Sequence, residues 1–491
     1  MIPRRIAWRL LGAALLASAA LPAHAADGVQ SYDVPRALLY NSHDDAFTVR
    51  ARSRGGPWHN LFEYKIQVDM DTQQTASLVY FDFTGTVEIE IEKNNGHFTT
   101  TSILPSDAPI AVTRRDDVVR LTLNRPERFS VQFDDDRLHN LHIVAGPPPS
   151  PAPADDGHLV TFGPGIHLPP AGSDRFPVRS GDRIYLAGGA VLRGSFALDG
   201  AHDVRISGRG LLYNPGAPID LNHASDVDIR DLIIVNDGTK EAARVMNIRN
   251  AERVSVRGIS GFTSGKWSDG LNISSSRHVT VDGGYLRVSD DAVVVYAVTD
   301  CPICRDHPIA PVGPPGATAP ADTFDIHVRN LTIWNDVAHA LFVGHFGDNA
   351  APRTIHDVSF EKIHIVNLDE DDPAWEGAMA LFSGDSTLIR DVTFSDISVE
   401  RIEEGKLFNI VAGLNGQYNK QPGRGIDGVT FRNIAYSGRG LPSHSIIRGF
   451  SDASQVRNVR IEGLTIAGRP VTSLTQAPID VGAHVIGLSI R

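Results

Sequence analysis

Asp290 and Asp291 stand side by side in Val288-Ser-Asp-Asp-Ala-Val-Val-Val-Tyr296, at the mouth of an apolar run, and Asp269 in Trp267-Ser-Asp-Gly270 precedes them by 21 residues. Charge leading straight into so apolar a strand is costly unless it serves a purpose. If the chain coils with about that period, all three carboxylates share one wall. Crowded like charges raise the pKa of the most buried acid, so one carboxyl keeps its proton near neutral pH while another stays ionised. That division of labour is what acid–base hydrolysis of a glycosidic bond requires. Taken singly, Asp-Asp and Ser-Asp-Gly are also ordinary turn chemistry. The chemical reading depends on their meeting.

What would bring them together is a repeat. Short strands of the type Val-x-Ile-x-x-Leu-x-Ile begin at Val204, Val227, Val254, Val279, Ile326, Val358, Val392, Val429 and Val459, with intervals from 23 to 47 residues. A repeat of this size built from strands, with Gly and Asn at its corners, indicates a parallel β-helix whose turns stack about 4.8 Å apart and share one core. The 47-residue interval, between Val279 and Ile326, reads as one long turn or two, swollen by a loop over 297–323. Asp269 lies 15 residues after Val254, and Asp290 and Asp291 lie 11 and 12 after Val279. A corner insertion of a few residues would therefore superpose them. A β-propeller, the rival all-β array, would show four strands per roughly 40 residues with signature dipeptides that are missing here.

Ahead of the repeat, residues 26–145 alternate in strand fashion. Val87, Ile89 and Ile91 face one way with glutamates between them, and Val119, Leu121 and Leu123 repeat the pattern. This predicts an N-terminal β-sandwich. The Pro-rich stretch 146–157 reads as a linker or covering segment, and 158–491 as the β-helix. Residues 1–25 read as an export signal: Arg4, Arg5 and Arg9 precede an apolar run from Leu10 to Leu21, and Ala23-His24-Ala25 offers a cleavage site. No later run is long enough for a membrane-spanning helix. Loss of those three arginines takes the formal net charge from −12 to −15, which argues against nucleic acid as a partner. The only cysteines, Cys301 and Cys304, suit a local disulfide in an exported chain. A zinc site would want a second Cys pair, and thioredoxin-like chemistry would want a βαβ context. Asp369-Glu-Asp-Asp372 reads as a solvated loop or a calcium ligand run.

With these residues in place, the chain resembles the clan of right-handed parallel β-helix glycosidases that contains glycoside hydrolase families 28 and 49. Family 28 polygalacturonases carry Asn-Thr-Asp, Asp-Asp, Gly-His-Gly and Arg-Ile-Lys on successive turns. Here Trp267-Ser-Asp269 stands for the first, Asp290-Asp291 for the second, and Ala338-His339-Ala340 for the third, because His339-Ala-Leu-Phe-Val-Gly344 should lie over Asp291-Ala-Val-Val-Val-Tyr296. The fourth has no counterpart in Glu376-Gly-Ala-Met-Ala-Leu-Phe382, the strand expected on the next turn. An N-terminal sandwich joined to a β-helix is what family 49 enzymes have.

The resemblance implies an all-β architecture, Asp290 as general acid, Asp269 and Asp291 as holders of the attacking water, inversion of configuration, and no metal or other cofactor. His339 would bond within the cluster. His345, Trp267, Tyr296 and Trp375 are candidate groove residues, the aromatics because sugar rings stack on them; Lys406 and Asn415 are candidate hydroxyl contacts. Without the Arg and Lys that would neutralise a uronate, the expected substrate is a neutral α-linked poly- or oligosaccharide, dextranase-like rather than polygalacturonase-like. The rival functions are a polysaccharide lyase, which would need a basic catalytic residue, and a non-catalytic β-helix carbohydrate binder.

Overall fold

The computed structural model describes residues 28–236, 241–298, 322–370, 372 and 377–491. Among them stands one 3-10 turn, Arg36–Leu38, and otherwise strand and loop. A 19-stranded sheet, parallel but for one hairpin over 464–471, and an 11-stranded parallel sheet coil around a single core, while a six-stranded and a five-stranded sheet form the N-terminal part.

The nine turn markers are in register with one another: Val204 pairs with Val227, Val227 with Val254, Val254 with Val279, and Val279 with Ile326. Ile326, Val358, Val392, Val429 and Val459 continue the column. The 47-residue interval is therefore one turn. Two earlier turns escaped the sequence pattern: Leu159 pairs with Arg183 and Arg183 with Arg205, one place after the marker Val204, so the marker position falls on His158 and Asp182 rather than on a β-branched residue.

The larger sheet wraps two faces because each long strand bends at a left-handed residue. At one bend Asp231, Gly258, Gly283, Asn330, Lys362, Asp396, Asn433 and Gly463 stack turn upon turn, all with φ between 55 and 76 degrees apart from Asn433 at 53. Gly, Asn and Asp dominate because they tolerate that conformation best. Between bends, alternate side chains point inward, and Phe360, Phe394 and Phe431 pile up in the core with centroids 5.0 and 4.9 Å apart and nearly parallel rings.

The N-terminal sheets pack as a sandwich around Val49, Phe81, Ile89, Leu121, Val131 and Ile143. The six-stranded sheet buries its other face as well. Tyr64, Ile66, Leu78 and Tyr80 meet Leu211, Tyr213, Ile233 and Phe262 of the β-helix, which explains why Gln74–Phe83 is buried on both faces from Ala76 onward. Buried charges cross the same boundary. Arg209 pairs with Asp82 at 2.8 Å. Fully buried Arg287 grips Asp336 through two 3.0 Å bonds and also reaches Asn140 Oδ1 (2.7 Å), His142 Nε2 (3.0 Å) and the Arg137 carbonyl (2.8 Å). Because the guanidinium donates to Nε2, His142 must carry its proton on Nδ1, facing the Tyr285 hydroxyl at 2.9 Å. Burial and Arg287 hold His142 well below the usual histidine range.

Candidate active site

The 11-stranded sheet sets the site. Leu271 pairs with Val293, and Val293 with Leu341, so the residues two places earlier, Asp269, Asp291 and His339, form adjacent rungs of one column. Backbone bonds from Gly270 N to Asp291 O (2.8 Å) and from Ala292 N to His339 O (2.8 Å) carry the ladder into that position. The column runs on in both directions. Met246 pairs with Leu271, placing Arg244 before Asp269. Met379 pairs with Leu341 and with Phe408, placing Gly377 and then Lys406 after His339. The superposition of His339–Gly344 on Asp291–Tyr296 is thus as the sequence indicated. The basic residue looked for on the next turn is absent from the described part of that strand, and Lys406 stands one turn further on.

Around this column lies a cavity of about 250 Å³. Asp290, one place before the column, enters it from the side; its Oδ1 accepts the Asp291 N–H at 2.9 Å, and its carbonyl accepts Asn335 Nδ2 at 2.9 Å. Burial, then the charges of Asp269 and Asp291, raise its carboxyl well above the ordinary range. Asp269 is buried too. Its Oδ2 accepts Arg244 Nε and Asn272 Nδ2, each at 2.7 Å. Desolvation pushes it up to about 6, against the opposing pull of Arg244. Asp291 Oδ1 accepts the His339 backbone N–H at 3.2 Å and lies 2.7 Å from its Nδ1, while Tyr296 Oη is 3.4 Å from Oδ2. The His339 ring lies nearly parallel to Phe342, 4.3 Å between centroids. His345 is pushed well below its usual range by burial and by His339.

Of the residues nominated from sequence, Asp269, Asp290, Asp291, His339, His345, Trp267 and Tyr296 line the cavity together. Lys406 and Asn415 are not among its lining residues. Lys406 is buried behind the wall, where desolvation lowers its ammonium. Asn415 shapes a turn instead, its carbonyl accepting the Tyr418 and Asn419 N–H groups and its Oδ1 that of Gln417. Trp375, Cys301 and Cys304 lie outside the described residues. Within the described part of the acidic run, Glu370 is not solvated: it is buried in the cavity wall with Oε2 4.0 Å from His339 Nδ1, and desolvation pushes it up to about 7. No metal-binding group of His, Cys, Asp and Glu occurs among the described residues.

Sequence reasoning missed Arg244, Glu370, Tyr418 and Met70, all of which line the cavity. Arg244 had a signal, since Arg244-Val-Met-Asn-Ile-Arg249 parallels Asp269-Gly-Leu-Asn-Ile-Ser274 position by position. Glu370 and Tyr418 sit on loops of irregular length, and Met70 comes from the sandwich.

The family model for glycosyl hydrolases family 28 matches residues 188–482. Among solved structures, the fold is similar to Dex49A from Penicillium minioluteum, at 13% identity and a TM-score of 0.50, covering 94% of this chain and 96% of that one. A family 28 exopolygalacturonase from Yersinia enterocolitica aligns at 11% identity and a TM-score of 0.46, covering 82% and 96%. An exopolygalacturonase from Thermotoga maritima aligns at 11% and 0.43, covering 64% and 85%. No curated protein matches the sequence. The family match runs from the early turns of the β-helix past the last rung of the acid column, and the chain belongs to glycoside hydrolase family 28.

Proposed function

We propose that this glycoside hydrolase is an exported, inverting enzyme acting on a neutral α-linked poly- or oligosaccharide. Asp290, holding its proton, delivers it to the glycosidic oxygen as the bond to the anomeric carbon breaks. Asp269 and Asp291 hold a water on the opposite face and take up its proton as it attacks, so a single displacement inverts the centre. His339, bonded to Asp291 through Nδ1, fixes the orientation of that carboxylate. Export is supported by the three arginines and the apolar run at the start of the chain.

The observation that carries the choice of a neutral sugar is the charge of the lining. Five carboxyl groups (Asp269, Asp290, Asp291, Glu370 and Asp372) face three basic ones (Arg244, Arg249 and Lys266). Both guanidiniums are already engaged, Arg244 with Asp269 at 2.7 Å and Arg249 with Asp220 at 2.6 and 2.9 Å. A uronate would enter a site whose guanidiniums are occupied and whose carboxyl groups outnumber its cations. A second reading, a galacturonan substrate, draws on family membership and on exposed Lys266 at the rim, its ammonium 5.3 Å from the Trp267 ring centre. Incubating the protein with dextran, pullulan, arabinan and polygalacturonate, and following the first anomer by NMR, separates them. Cleavage of dextran or pullulan with inversion is expected. Cleavage of polygalacturonate alone would refute the neutral-sugar reading, and a retained anomer would refute the mechanism.

A further inference from the structure

Met70 belongs to the N-terminal sandwich, yet it lines the cavity beside the acids. The turn that delivers it is held through the backbone N–H, the carbonyl and one carboxylate oxygen of Asp69. In its left-handed conformation (φ +62), Asp69 accepts the Asp71 and Thr72 N–H groups on Oδ1 at 2.8 and 3.3 Å. Its own N–H donates to Asp336 Oδ2 at 3.1 Å, and its carbonyl accepts Ser264 Oγ at 2.7 Å. Gln73 Nε2 donates to the same Ser264 hydroxyl at 2.9 Å. These anchors are not remote from the chemistry. Asp336 precedes His339 by three residues and Ser264 precedes Trp267 by three. Asn335, next to Asp336, holds the Asp290 carbonyl.

We propose that Met70 is a substrate-contacting residue, packing with Trp267 against the apolar C–H face of one pyranose ring and so turning that ring's glycosidic oxygen toward Asp290. An unbranched, polarisable thioether adapts to such a face, and an indole supplies a broad apolar contact. A partly exposed methionine held by four hydrogen-bonded neighbours is an expensive way to fill space and an effective way to shape a subsite. The sandwich is then a wall of the active site. This inference rests on the cavity being the glycosidase site, and it deepens the neutral-sugar reading by naming what the ring packs against.

The other described methionines, Met246 and Met379, are fully buried in the core and serve as internal references. Asp290→Asn protein labelled with carbon-13 at the methionine methyls is titrated with isomaltotriose and, separately, with trigalacturonate; Met70→Leu assigns the signal. Isomaltotriose is expected to move the Met70 methyl signal and leave the signals of Met246 and Met379 in place. In the same background Met70→Ala should weaken isomaltotriose by about tenfold, and Met70→Leu by less than about threefold. Movement with trigalacturonate alone would keep Met70 in the site and refute the neutral sugar. A Met70 signal unmoved by either saccharide, or parental affinity in Met70→Ala, would remove Met70 from the subsite.

Discussion

At the residue scale, the central fact is that Arg244 shares a small cavity with five carboxyl groups, and that Asp269, Asp290 and Glu370 are each shifted by different neighbours. Arg244 pulls Asp269 down while burial pushes it up, leaving it at about 6. If ionised Asp269 helps to activate the water, kcat/KM should rise through about pH 6 and fall as Asp290 loses its proton at higher pH. Arg244→Gln removes the cation, so the rising limb should move to higher pH, by about one unit or more. A pH profile of the variant that keeps its rising limb in place would exclude Arg244 from tuning Asp269. Asp290→Asn should lower kcat by about 10²- to 10⁴-fold. It should also stabilise the fold near neutral pH, and the sign follows from the raised pKa of Asp290. Below about pH 4 both folded and unfolded states hold the proton, and nothing is lost. Above it the unfolded chain ionises while the folded one resists, so stability falls as pH rises. The gain in melting temperature of Asp290→Asn should therefore vanish at pH 3.5. The three aspartates and His339 were legible in the sequence because each leads an apolar strand. Glu370 was not, because an acidic run on a loop looks the same whether water or a cavity surrounds it.

At the element scale, the markers from Val204 to Val459 were legible because every turn repeats one inward-facing row, and that row is set by burial. The bends were less so, since Lys362 or Asp396 at a corner carries no pattern of its own; only the stacked φ values reveal the column. This gives a graded test. At Gly283 (φ +76) an added Cβ would meet nothing nearer than the Gly258 nitrogen at 3.9 Å, so the cost is conformational alone. Gly283→Asn, matching Asn330 on the next turn, should be nearly neutral, whereas Gly283→Val should cost about 1–2 kcal/mol or more. In the core, Phe394→Ala breaks a stack at its centre and should cost about 3–5 kcal/mol. Urea titrations monitored by circular dichroism would rank the three, and equal losses for Asn and Val at 283 would contradict the corner argument.

At the scale of the whole molecule, the sandwich was visible as a unit but its seating was not. No sequence pattern singles out Arg287 or Asp336, and only folding shows them closed off together against Asn140 and His142. Parting the halves would also separate buried Arg209 from Asp82 and strand a charge, which costs about 3–5 kcal/mol. With the apolar boundary added, the two halves should melt in one transition, and a scan with two resolved peaks would argue against it. Residues 147–158 carry no strand and cross between the halves. Cutting there should leave a nicked protein that elutes as one species and still turns over. The Arg209–Asp82 pair thus has a bearing on ancestry and engineering: neither half is a portable cassette. A catalytic coil grafted elsewhere would arrive with an orphaned guanidinium, and a sandwich replaced by a foreign fold would have to bring its own acceptors for it.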